Sequence, residues 1–168
     1  NYWLMNSTGL PECNMPLFDT LKDLAESGSI TAKEHYGANG WVLHHNWDLW
    51  CGTAPINKSN HGVWVTGSGW MAHHIWEHFL FTGDLEFLSH YGAEMIMDVA
   101  RFLGSLATLD GATGRYHILG VMGPDEYHEK YPGSDEPGLR DNAYTNVMSV
   151  WVMERALEIR GLGDDVRQ

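Results

Sequence analysis

The chain has 168 residues with 22 acidic and 10 basic side chains, a formal charge of −12. That balance argues against nucleic acid, whose phosphates call for a basic face, and against an anionic membrane surface. No apolar run approaches the roughly 20 residues that cross a bilayer. With 43% hydrophobic residues the chain is long enough to bury one real core.

The opening Asn1-Tyr2-Trp3 reads as the interior of a longer polypeptide. Pro16 begins a first helix with Leu17, Phe18, Leu21 and Leu24 on one face, closing at Gly28. Thr31 caps a short piece, Thr31 to His35, ending at Gly37. Residues 37–69 form a long loop, and its aromatic content argues for function rather than disorder. A helix then runs from about Trp70 to Phe81, stopping at Thr82-Gly83, and Asp84 caps the next short segment. Tyr91, Met95, Val99, Phe102 and Leu106 recur at three- and four-residue steps, an amphipathic helix. Asp110-Gly111 and Thr113-Gly114 mark turns, and Tyr116, Ile118 and Leu119 fit a short extended stretch. A polar loop covers Gly123 to Arg140, and a last helix starts near Asn142, packs Val147, Val150 and Trp151, and ends at Gly161. Strand alternation is nowhere sustained. Helix pairs joined by rich loops predict an all-α fold of helical hairpins in an array or ring.

Four constellations bear chemistry. Gly123-Pro124-Asp125-Glu126-Tyr127-His128-Glu129 puts three carboxylates and an imidazole on a loop stiffened by proline. Like charges this close raise one carboxyl pKa, which is what a general acid needs at neutral pH. The simpler alternative is a solvated acidic turn. His44-His45-Asn46-Trp47-Asp48-Leu49-Trp50 alternates hydrogen-bonding and aromatic groups, the mixture that sugar hydroxyls and sugar faces require; its alternative is a buried loop bonding its own backbone. His74, Glu77 and His78 fit the H-x-x-E-H zinc spacing on one helix face. Zinc would need a third ligand, and these three positions lie in a chain with 10 His and 8 Trp. Finally, Asp141 or Asn142 can cap the last helix, while Asn142, Tyr144 and Asn146 present polar groups at its start. Cys13 and Cys51 read equally as free thiols or one disulfide, which leaves the compartment open.

Two resemblances stand on these residues. From Asn1 to about Leu88 the chain resembles glycoside hydrolase family 95, the inverting α-L-fucosidases. The matching text is Asn1-Tyr2-Trp3, Glu34-His35-Tyr36-Gly37, Trp41 through Trp50, Thr53-Ala54-Pro55, Trp76-Glu77-His78 and Phe81 through Asp84. From about Tyr91 onward it resembles glycoside hydrolase family 65, the maltose, trehalose and kojibiose phosphorylases and related hydrolases. Here the carriers are Arg115-Tyr116-His117-Ile118, Gly123 through Glu129, and Asp141 through Met148. The pair implies one partial α/α toroid over 1–168, about half of a six-hairpin ring, with a mosaic junction near 82–91.

Both resemblances imply inversion and place the general acid at Glu126. Substrate contacts would come from His44, His45, Asn46, Asp48, Trp50, Trp70, Tyr127, His128, Asn142 and Tyr144. The ligand implied is an oligosaccharide or glycoside, with an α-L-fucosidic or α-glucosidic bond. No cofactor is implied, and His74, Glu77 and His78 are accounted for without a metal. Inversion takes two carboxyl-type partners roughly 6.5 to 9.5 Å apart, and the second partner of either family falls outside these residues. Trp47 stands where fucosidases carry a small polar residue. The expected activity is an inverting glycosidase; a phosphorylase sharing the acid and a non-catalytic sugar-binding module are the alternatives. Half a ring also leaves hairpin faces open, so self-association or marginal stability is expected.

Overall fold

The computed structural model describes residues 2–56, 62–125 and 128–165. The chain is mostly helical. A one-turn α1 (Leu4–Ser7) and a 3₁₀ turn (Pro11–Asn14) lead into the long α2 (Met15–Tyr36). Then come α3 (Gly67–Thr82), a short α4 (Leu85–Phe87) and one π-helical turn, Leu88–Gly92. That turn feeds α5 (Ala93–Leu106), and α6 (Ala143–Asp165) closes the chain.

Among the described residues four short strands lie between α5 and α6 in the chain. β1 (Thr108–Asp110) pairs antiparallel with β2 (Arg115–His117), Leu109 opposite Tyr116. β3 (Leu119–Val121) pairs antiparallel with β4 (Leu139–Arg140) across an irregular register. These strands correct the expectation of a single extended stretch. They are two or three residues long, too short for alternation to mark them in the sequence.

Helices α3, α5 and α6 pack on one another, and α2 lies against α5. The core is Leu17, Phe18, Leu21 and Leu24 of α2, Ala72 and Ile75 of α3, and Ile96, Val99, Phe102 and Leu103 of α5. Trp41, Val42 and Leu43, from the loop after α2, are equally buried within it. The polar residues of that loop are therefore anchored by an apolar root.

Two helix boundaries differ from expectation. The first two helices are one, running unbroken through Gly28. A glycine there reads as a stop signal; instead the residue is buried because the returning chain crosses it. A Cβ on Gly28 would lie 2.7 Å from the Val42 carbonyl oxygen, and Val42 N–H donates to the Gly28 carbonyl at 3.3 Å. Thr31 caps nothing; its hydroxyl meets that of Thr53 at 2.8 Å. Likewise α6 runs through Gly161 to Asp165. Its buried face is Thr145, Ser149, Val152 and Ile159, whereas Val147 and Val150, expected to pack, are 69% and 55% exposed.

Other local signals hold. Asp84 accepts from Phe87 N–H at 2.9 Å and caps α4. Asn142 accepts from Thr145 N–H at 3.1 Å and caps α6, which decides between Asn142 and Asp141. Cys13 and Cys51 are both free thiols. Among the described residues no helix is long and apolar enough to cross a membrane.

Candidate functional site

The loop after β3 is tied down on both flanks of Glu126 and Tyr127, which lie outside the described residues. Gly123 N–H donates to the His128 carbonyl at 2.8 Å, and His128 N–H to the Asp125 carbonyl at 3.3 Å. Met122 N–H donates to the Val63 carbonyl at 3.0 Å, joining this loop to the segment before α3. Beside it opens a cavity of about 380 Å³, lined by His128, Lys130, Tyr131, Leu139, Asn142 and Tyr144 with Pro124 and Pro132 at its edge. Three of the anticipated substrate residues, His128, Asn142 and Tyr144, therefore share one concavity, from two elements 14 or more residues apart.

Asn142 spends its side-chain oxygen on the helix cap. Tyr144 stacks on Trp64, ring centroids 6.3 Å apart. Burial raises the pKa of the Tyr144 hydroxyl, and the neighbouring Thr66 hydroxyl partly offsets this. The two do not reach hydrogen-bond geometry: Tyr144 Oη, Thr66 Oγ1 and Trp64 Nε1 are all buried without a partner among the described residues. Trp64 and Thr66 lie in the long 37–69 loop read as functional, but the sequence singles out neither there.

The second expected cluster separates into two populations. His44 is buried, and both its ring nitrogens are taken by the protein: Nε2 lies 2.6 Å from Tyr36 Oη and Nδ1 2.8 Å from the Thr53 carbonyl oxygen. Burial lowers its pKa to about 4. His45, Asn46, Asp48 and Trp50 are exposed and do not line the cavity. Asp48 accepts from Trp50 N–H at 2.9 Å and Gly52 N–H at 3.1 Å, which turns the loop and leaves Trp50 86% exposed. Trp47 at 41% and Trp70 at 39% also reach solvent, Trp70 beside Trp3 with centroids 6.5 Å apart.

The zinc spacing does not come together as read. His78 turns into the core, in edge contact with the Phe18 and Phe87 rings at 5.1 and 4.7 Å. The described side chains best able to hold a metal are instead His73, His74 and Glu77, donor atoms within 4.8 Å of one another. His73 is clamped between Trp3 and Trp151, at 5.0 and 5.2 Å, so its ring serves the aromatic packing.

A different histidine stands next to the cavity wall. His117 Nδ1 lies 2.8 Å from Asp141 Oδ2, and its Nε2 lies 3.9 Å from Asp110 Oδ2. A carboxylate only accepts, so Nδ1 carries the proton and donates. That hydrogen bond is the first cause holding the Asp141 carboxyl below its usual range. Asp110 is also held low, chiefly by the Thr113 hydroxyl at 2.7 Å. Only partners far apart in sequence reveal this pair.

Comparison with known proteins finds likeness to a glycosyl hydrolase family model, to phosphorylases and to an alpha-L-fucosidase. The glycosyl hydrolase family 95 catalytic domain model matches residues 1–162, and the chain belongs to that family. It is 38% identical over 157 residues to a 1,2-alpha-glucosylglycerol phosphorylase of Bacillus selenitireducens, covering 94% of this chain and 16% of that protein. It is 38% identical over 104 residues to alpha-L-fucosidase 2 of Arabidopsis thaliana, covering 61% and 12%. Among solved structures, a putative kojibiose phosphorylase from human microbiome superposes with a TM-score of 0.60 at 21% identity, over 82% of this chain and 19% of that one. The chain thus spans between 6% and 16% of the length of the curated relatives it matches.

Proposed function

We propose that this chain carries the acid-bearing part of an inverting α-glycoside-cleaving site, within one section of an α/α toroid. Glu126 is the proton donor to the leaving glycosidic oxygen, with His128, Asn142 and Tyr144 holding the sugar beside it. The observation that carries this reading is the cavity next to the Gly123–Glu129 loop, on a chain of family 95. A pocket that sets the Asn142 amide, the His128 imidazole and the Lys130 amine beside the Tyr131 and Tyr144 rings suits a hydroxyl-rich ligand, which takes hydrogen bonds at its edge and apolar contact on its face. Hydrolysis of an α-L-fucoside or α-glucoside is the leading activity. A phosphorylase is the second reading, favoured by the 94% of this chain aligned with a glucosylglycerol phosphorylase; it uses the same acid with phosphate as nucleophile.

The test is turnover on α-fucosides and α-glucobioses, each with and without phosphate. Turnover is read in protein that supplies the second carboxyl-type partner together with this chain; there Glu126→Gln should lose about a thousandfold or more while melting as the parent does. Phosphate dependence would assign the phosphorylase. Undiminished turnover in Glu126→Gln would remove the acid assignment.

A further inference from the structure

We infer that His117, through Asp141, is a positioning residue for the cavity wall formed by Asn142 and Tyr144; this rests on the function proposed above. Asp141 is one of two described non-glycine residues with positive φ, at 52°. An aspartate adopts this left-handed conformation when local hydrogen bonds hold its backbone and side chain. Here they do. Its backbone N–H donates to the Ile118 carbonyl at 2.9 Å, and its Oδ1 accepts from Ile118 N–H at 3.2 Å. Its Oδ2 accepts from His117 Nδ1 at 2.8 Å and from Arg140 Nε at 3.4 Å. Every bond except that of Arg140 comes from the β2–β3 strip.

The reversed backbone at Asp141 sets the direction in which α6 begins. The next residue, Asn142, is the α6 cap and a cavity residue, and Tyr144 follows on the same wall. On the far side of the imidazole, Asp110 is fixed by Ala112 N–H at 2.9 Å and Thr113 Oγ1 at 2.7 Å. His117 therefore joins the β1–β2 turn to the start of α6. Arg140 is 63% exposed at its side chain and holds Asp141 from the solvent side, whereas His117 at 19% is the inner contact. Losing the His117 donor leaves Asp141 with no inner partner for Oδ2, and the wall is free to shift. A displacement of an ångström at a positioned group can cost a hundredfold in rate.

Three variants decide it: His117→Phe removes the donor, His117→Asn returns one near the Nδ1 position, and Asp141→Gly keeps the φ but drops the carboxylate. His117→Phe and Asp141→Gly should lose about tenfold or more in kcat with KM within a few-fold, while still melting cooperatively as folded protein. His117→Asn should recover most of that. Amide NMR signals of Asn142 to Thr145 should move in His117→Phe and return in His117→Asn. Wild-type kinetics in His117→Phe would overturn the inference, as would equal impairment of the Phe and Asn variants. Should the parent protein, second carboxyl-type partner included, show no turnover, the proposed function fails. The amide signals then decide this inference alone: unmoved signals in His117→Phe overturn it.

Discussion

Tyr36 Oη donates to His44 Nε2 across 2.6 Å, and the direction of that bond is fixed by the other side of the ring. His44 Nδ1 faces the Thr53 carbonyl oxygen at 2.8 Å, an atom that can only accept, so Nδ1 carries the hydrogen and Nε2 the lone pair. The pair is a neutral structural unit that roots the 45–50 loop in the core. His44 titrates at about 4 in the folded chain against 6.5 ordinarily, because burial disfavours its cation. Its stabilisation is complete above about pH 6.5 and drains away as pH falls toward 4, where the folded form protonates too. A shift of that size is worth on the order of 3 kcal/mol. The thermal midpoint should fall steadily from pH 7 to 4.5, and His44→Leu should be less stable at pH 7 with a flatter pH profile. A wild-type midpoint that does not move over this range would contradict the assignment.

Gly40 should tolerate no side chain. It has φ of 75°, and a Cβ would sit 1.9 Å from the Asp98 carbonyl oxygen and 2.8 Å from Phe102 N. Both obstacles are backbone of α5, which cannot swing aside. Gly40→Ala should cost about 3 kcal/mol or more, read as a lowered denaturant midpoint. A loss under about 1 kcal/mol would mean that the approach is looser than drawn.

Asp48→Ala should release the exposed loop, since one carboxylate oxygen holds the Trp50 and Gly52 amides. The expected loss is about 1 kcal/mol, with Trp50 more readily quenched by iodide or acrylamide. Asp48→Asn keeps the acceptor oxygen and should stay near wild type. Equal quenching in wild type and Asp48→Ala would show that the carboxylate does not hold the loop.

The outer face of α6 predicts association. Val147, Val150 and Leu157 are 69%, 55% and 67% exposed and recur at spacings of three and seven. Apolar side chains aligned in this way gain by meeting another surface. Sedimentation of this chain should show a mass that rises with concentration and falls in the double variant Val150→Glu, Leu157→Lys. A monodisperse monomer at high concentration would refute this.

Local chemistry was legible wherever partners are close in sequence. Asp84 and Asn142 announce their caps three residues ahead of the amides they accept from, and Met95, Val99 and Phe102 announce a buried face by spacing alone. Val147 and Val150 read as core because the sequence shows apolar character but not which side of α6 meets α3 and α5. His74, Glu77 and His78 satisfied a helical spacing, yet His78 is drawn off by Phe18 and Phe87, residues that no helical repeat connects to it.

The sequence alone determined a mostly helical chain with family 95 motifs and the motif around Glu126, because motifs and amphipathic periods are carried by neighbours along the chain. Tertiary structure decided that α2 passes through Gly28, that His44 is neutral and internal, and that His117 meets Asp141 24 residues away. Each of those depends on a strand or loop returning across a helix, where burial and contact are set by packing between segments that have no fixed spacing in the sequence.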